Sequence, residues 1–324
     1  MESESNYLRG GSALVKKYDM TQYEAAHRKR TRVAALFIFL FMPITIFLGV
    51  RFAQSEYMVI SVLILFYTMV PFFMVFERRK PKAREIVLIA VMSALTVCAH
   101  IFFHITIPVQ IGTAMIIISG ISLGPEAGFL IGAISRFVCN FYMGQGPWTP
   151  WQMFCWGILG FLAGLAFNKV DLDQLKSRNF KVVMGPVICI LFSFLAAYVC
   201  YQLWPGDDGT FFGWRLYIFG FAGLVAGVLL QRKRLPVDGI TLSLFTFFVT
   251  FIVYGGVMNV CALVTSAGAP GGAEISLKAL RALYISGAPY DAFHAGSAAL
   301  CTFLFGNSVI RKLERIKIKY GIYK

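Results

Sequence analysis

Arg136 and Asn140 stand four residues apart inside an apolar run, so on a helix they share one face. A second pair, Asp291 and His294, stands three residues apart at the start of another apolar run, and Asn259 interrupts a third in the stretch Tyr254-Gly-Gly-Val-Met-Asn259. A guanidinium, two amides, a carboxylate and an imidazole are donors and acceptors with no business in hydrocarbon unless they meet each other or a ligand. Two arrangements follow: a structural Arg136–Asp291 ion pair, or a ligand cavity lined by these groups. A fourth stretch, Phe141-Tyr-Met-Gly-Gln-Gly-Pro-Trp-Thr-Pro-Trp-Gln-Met-Phe-Cys-Trp-Gly157, carries three tryptophans, two prolines and two glutamines and no charge. Pro147 and Pro150 stiffen such a turn. Trp148 and Trp151 then offer indole faces to a planar ligand, and Gln145, Thr149 and Gln152 offer hydrogen bonds. Trp156 falls further into the following helix, where packing alone accounts for it. The competing account of these tryptophans is an aromatic belt at the headgroups. His100 and His104 have metal-ligand spacing, but no third ligand is near in sequence, so no metal site is expected.

These residues need elements to hold them, and the composition says which. Of 324 residues, 58% are hydrophobic and 14% charged, and the mean hydropathy is +0.69. That is the make-up of an all-α polytopic membrane protein. Ten apolar runs are long enough to be candidate spans: 33–50, 56–76, 86–106, 110–124, 126–142, 149–168, 182–204, 216–231, 239–264 and 289–307. Pro125 is placed to open a helix at its first turn, just after Gly124. Residues 265–288 read as a Gly/Pro-rich connector followed by an interfacial helix, or else a lid. Residues 1–32 are polar and basic and lack the pattern of a cleavable signal peptide. The net charge of +14 does not imply nucleic acid: 25 of the 30 Lys and Arg fall on alternate loops and the two ends. By the positive-inside rule both termini are then cytoplasmic, with some affinity for membrane lipid. The seven cysteines form no CxxC pair and read as small packing residues.

Small residues recur at four-residue spacing: Ala90 and Ala94, then Gly120, Gly124, Gly128 and Gly132, then Gly160 and Gly164, then Gly223 and Gly227. Such stripes let helix backbones approach closely, either within the protein or against a partner. The chain has no GxxxxGK[ST] loop, no HExxH and no GxSxG, so no catalytic residues and no cofactor are expected.

Several of these stretches, taken together, resemble the substrate-binding S components of energy-coupling factor (ECF) vitamin transporters. They are Ala90-Val-Met-Ser-Ala94, Ile121-Ser-Leu-Gly-Pro-Glu-Ala-Gly128, Gly144-Gln-Gly-Pro-Trp-Thr-Pro-Trp-Gln152, Tyr254 to Asn259, Pro289-Tyr-Asp-Ala-Phe-His294 and the basic end Leu313-Glu-Arg-Ile-Lys-Ile-Lys-Tyr-Gly321. The resemblance implies a six-helix core with about four added transmembrane helices. It divides the chain into a basic arm (1–32), an extra hairpin (33–80), core helices 1–4 (81–169), an inserted hairpin (170–238) and core helices 5–6 with a basic tail (239–324). It implies a multi-pass protein of the bacterial cytoplasmic membrane whose outward-facing site takes a vitamin, cobalamin-like or flavin-like. Its partners are a membrane scaffold (T) subunit, met by the Ala90 and Ala94 face, and two ATPase (A) subunits, with cargo released inward by toppling. The substrate-binding set is Arg136, Asn140, Gln145, Trp148, Trp151, Gln152, Asn259, Asp291 and His294. Metal-transporting relatives carry a His directly after the first Met, whereas this chain has Glu2. The rival functions are a non-transporting membrane scaffold using the small-residue faces and, more distantly, a membrane enzyme acting on a lipid.

Overall fold

Apolar runs without internal β-branched alternation fold here as helices. The computed structural model describes residues 69, 83–106, 109–167, 180–206, 210–211, 213–231, 235–269, 272 and 274–320. The arm 1–32 and the candidate spans 33–50 and 56–76 lie outside the described residues, apart from Met69. The described residues form helices α1 (Ala83–Thr106), α2 (Ile111–Leu123), α3 (Pro125–Met143), α4 (Thr149–Ala166), α5 (Phe180–Leu203), α6 (Trp214–Leu230), α7 (Gly239–Ala267) and α8 (Leu277–Lys319). Among them there is no strand, only one bridge between Phe167 and Leu235. Four helices, α1, α5, α7 and α8, contain segments long and apolar enough to cross a membrane.

The packing has two groups. Helices α1 to α4 contact one another and, through α2 and α4, contact α7 and α8. Helices α5 and α6 pair with each other, and α6 reaches α7 and α8. Helix α2 is the hub. It is only 13 residues long, about 20 Å at 1.5 Å per residue, short of a bilayer core. Ten of its residues are buried, so protein rather than lipid surrounds it. Gly124, at φ +96°, makes the sharp turn into α3, and Pro125 opens α3 as its position suggested.

The glycine stripes are internal. A Cβ on Gly120 would lie 2.0 Å from the Gly160 carbonyl oxygen, one on Gly128 2.6 Å from it, and one on Gly160 2.3 Å from the Gly128 oxygen. Gly132 would meet the Trp156 carbonyl at 2.4 Å, and Gly164 would meet Pro125 at the same distance. Helices α2, α3 and α4 therefore touch backbone to backbone. Gly223 and Gly227 let α6 lie close on α5, against the Ser193 side chain and Pro186. Of the two uses open to these glycine stripes, packing within the protein is the one they take. Ala90 and Ala94 differ. Both are exposed on α1, among Ile86, Val87, Val91 and Leu95.

The last run is also corrected. The expected interfacial helix near 275–284 and the span 289–307 are one continuous helix, α8. The Ser276 side chain caps it by accepting from the Ala279 N–H. Pro289 removes one backbone donor without breaking it. Contacts to α7 on both sides of the proline hold the halves in line: Tyr284 donates to the Gly256 carbonyl (3.1 Å), and Asp291 sits against Gly255. Both α7 and α8 contain a π-helical stretch, Thr250–Gly255 and Thr302–Gly306.

The seam predicts an asymmetric response to one methyl group. Gly120→Ala should destabilise the detergent-purified protein by about 3 kcal/mol or more, because only backbone surrounds the new Cβ. Gly296→Ala, where nothing lies within 4 Å, should leave stability unchanged or raise it by up to about 1 kcal/mol. Thermal unfolding of the two variants checks both; equal behaviour would show that the seam carries no constraint.

Candidate functional site

The glycine seam sets where Arg136 and Trp156 meet. Gly132 lets α3 rest on the backbone of Trp156, and Arg136 lies one turn beyond Gly132. The guanidinium carbon then lies 5.0 Å above the centre of the Trp156 ring. Arg136 is buried, at 7% exposure, and would cost about 2.5–3.5 kcal/mol if left bare in a bilayer. It is not bare. Its Nε donates to Gln152 Oε1 (2.9 Å) and its Nη1 to His100 Nε2 (3.2 Å). Arginine only donates, so His100 accepts at Nε2 and carries its proton on Nδ1. The imidazole also stands edge-on to Trp156, with ring centres 4.8 Å apart. His104 lies on α1, but its side chain is outside the described residues.

Asn140 joins the same group. Its Nδ2 donates to Gln152 Oε1 (2.8 Å) and to Thr149 Oγ1 (3.0 Å). Thr149 in turn donates to Gln145 Oε1 (2.9 Å) and accepts from the Gly146 N–H (3.1 Å), and Gln145 Nε2 donates to the Phe137 carbonyl (3.2 Å). Gln145 and Thr149 thus fasten the turn and hold α4 to α3.

The tryptophans part company. Trp151 is buried in an apolar cluster with Phe129, Phe154, Ile158 and Phe161, so it does not stand beside Trp148 as a ligand wall. Trp148 precedes α4 and is 41% exposed. The indole on the polar cluster is Trp156, which sequence reasoning left as a packing residue. The signal was available. Once Pro150 marks the start of α4, Gln152 and Trp156 share a face at four-residue spacing, while Trp151 points about 100° away from Gln152.

A second cluster gathers on α7 and α8. Thr113 Oγ1 and His294 Nε2 are 3.0 Å apart, and Tyr254 stands edge-on to His294 at 4.6 Å. Asp291, 6% exposed, accepts on Oδ2 from Asn259 Nδ2 (2.8 Å) and from the Tyr217 hydroxyl of α6. Asn259 also donates to the Gly255 carbonyl (2.8 Å). The expected Arg136–Asp291 ion pair is absent: each has other partners. The two clusters adjoin at α2, where Gly112 lies against the His100 ring and the next residue, Thr113, meets His294. Tyr217 and Thr113 are members that sequence reasoning did not single out; His100 was weighed there only as a metal ligand, and Tyr254 only as the first residue of the Tyr254–Asn259 stretch.

Several buried polar atoms around this belt have no hydrogen-bond partner among the described residues: Asn140 Oδ1, Trp156 Nε1 and His294 Nδ1. Arg136 makes its bonds through Nε and Nη1 only, and Asp291 through Oδ2 only. In a satisfied interior such atoms are few. Together they form a mixed set of donors and acceptors beside an indole and a guanidinium plane, which suits a planar, hydrogen-bonding small molecule.

Residues 80–205 match the family model of the ECF-type riboflavin transporter, S component. This stretch, somewhat under half of the chain, is similar to an ECF S component. It spans α1 to α5 and includes Arg136, Asn140, Gln152 and Trp156. Asn259, Asp291 and His294 lie beyond it. No solved structure matches the chain.

Within this stretch, Arg136→Lys tests whether fork geometry matters more than charge. A lysine keeps the charge but loses the simultaneous bonds to Gln152 and His100 and the guanidinium contact over Trp156. The expected cost is about 1–3 kcal/mol of stability without ligand, read by thermal unfolding. A neutral result would mean that the guanidinium contacts are not holding α1, α3 and α4 together.

Proposed function

We propose that this protein is the substrate-binding subunit of an ECF-type uptake transporter and that its ligand is flavin-like. The observation that carries the reading is the Arg136 guanidinium over the Trp156 ring, bordered by buried polar atoms without partners among the described residues, inside the stretch that matches the riboflavin-type S component. An isoalloxazine ring presents a broad apolar face together with carbonyl acceptors and an N–H donor, the complement of such a wall. The family match weighs for flavin over the cobalamin-like alternative.

The proposed S-component core is α1 to α4 with α7 and α8, a grouping supported by their mutual packing, with α5 and α6 as an inserted hairpin. The family match groups α1 to α5; both groupings share α1 to α4. In this reading the protein lies in a bacterial cytoplasmic membrane with both termini inside, as the distribution of Lys and Arg suggests. The ligand enters from the outer face, at the end that bears residues 144–148. A scaffold subunit meets α1 at exposed Ala90 and Ala94, two ATPase subunits supply the energy, and toppling of the loaded subunit releases cargo inward. The scaffold-only reading loses ground, since every glycine stripe in the described helices is filled from within.

Titration of riboflavin fluorescence with the detergent-purified protein tests the ligand. Tight quenching is expected for the wild type. Trp156→Ala should weaken binding by about 30-fold, the scale of a buried aromatic hot spot, and Trp148→Ala by about threefold at most. Cobalamin binding without riboflavin binding would overturn the flavin reading. Ala90→Trp with Ala94→Trp should abolish co-purification with the scaffold and ATPase subunits and leave ligand affinity unchanged. Normal assembly of that variant would remove α1 as the docking face.

A further inference from the structure

Helix α6 enters the buried belt through one side chain. Tyr217 is 3% exposed and stacks on Tyr284 of α8 (ring centres 4.4 Å apart) and on Phe251 of α7 (5.2 Å). Its hydroxyl donates to Oδ2 of Asp291, and Asn259 donates to the same oxygen. Both bonds therefore fall on one carboxylate oxygen. Oδ1 of this buried carboxylate has no hydrogen-bond partner among the described residues. The π-helical turn of α7 brings Gly255 against the carboxylate, where a Cβ would lie 2.7 Å from Asp291 Cγ. The group is clamped from two other helices, α6 and α7, with one oxygen left over. His294, one turn along α8, meets Thr113 of α2, whose neighbour Gly112 lies against His100 at the Arg136 end of the belt.

We propose that Tyr217 is a positioning residue for ligand selection: by holding Asp291 through Oδ2, it turns Oδ1 toward the hydroxyl-bearing part of the ligand. This rests on the flavin reading above. A carboxylate oxygen accepts only, so it selects donors. The ring of a flavin offers one N–H, whereas the ribityl chain of riboflavin offers several hydroxyls. The Arg136–Trp156 wall takes the ring and Asp291 takes the chain. Helix α6, which lies beyond the matched residues 80–205, thereby becomes part of the specificity apparatus.

Tyr217→Phe is a suitable probe because the phenyl ring keeps both stacking contacts and loses only the hydroxyl. Full-length protein is titrated with riboflavin and with lumiflavin, which has the same ring and a methyl group in place of the ribityl chain. The expected result is a riboflavin affinity about tenfold weaker, with lumiflavin affinity unchanged. Asp291→Asn should weaken riboflavin binding too, and the double variant should be no weaker than Asp291→Asn alone, because the tyrosine acts through the carboxylate. Equal losses for both flavins would mean a packing role and overturn the inference. Unchanged riboflavin affinity in Tyr217→Phe would overturn it while leaving the flavin reading intact. A wild type that binds neither flavin overturns the flavin reading and this inference with it.

Discussion

The approach of three backbones, those of α2, α3 and α4, is the constraint from which the rest follows. In lipid there is little hydrophobic drive to bring helices together, so close packing and interhelical hydrogen bonds must do it. Gly120, Gly128 and Gly160 meet where any side chain would collide with a carbonyl. That contact allows a helix of only 13 residues to sit enclosed by its neighbours. It also fixes the rotation of α3 against α4, since Gly132 rests on the Trp156 backbone and leaves Arg136 no place but over that indole. A rigid seam at one level thus sets the geometry of a polar cluster one turn away.

Arg136 shows how such a cluster is made tolerable without being closed. Two directed bonds and a ring face meet most of its needs, and one of the acceptors it uses, Gln152 Oε1, is itself held by Asn140. Asn140 Oδ1 and Trp156 Nε1 nevertheless lack partners among the described residues. A fully satisfied network would be the more stable arrangement for the empty protein. Unmet donors and acceptors on a locked frame lower the ordering cost of binding, because the side chains already stand where a ligand would need them.

Helix existence was largely legible, because apolar runs of this length leave few alternatives. The boundaries near Pro125 and Thr149 were legible for a local reason: proline fits the first turn of a helix. Helix α8 was not. Pro289 and the amphipathic run before it read as a break, and only tertiary contacts with Gly255 and Gly256 carry the helix through. Arg136 and Asn140 were legible as a same-face pair. Trp151 was misplaced because the quoted stretch was read as a turn; as a helix, its tryptophans divide between core and site.

The second half of the site was the least legible, and its geometry explains why. The π-helical turn of α7 inserts a residue into the helical count, so the faces before and after it are offset from a simple 3.6 repeat. Tyr254 and Gly255 fall inside that turn, Asn259 just after it, and all three face α8 only because of the offset. Tyr217 arrives from another helix pair altogether. Nothing in the spacing of 254, 259, 291 and 217 announces a common point. The Arg136–Trp156 wall lies within the matched family stretch and the carboxylate end lies outside it. If ligand selection is divided in the same way, then the family match speaks to the ring, and the residues of α6, α7 and α8 decide what the ring may carry.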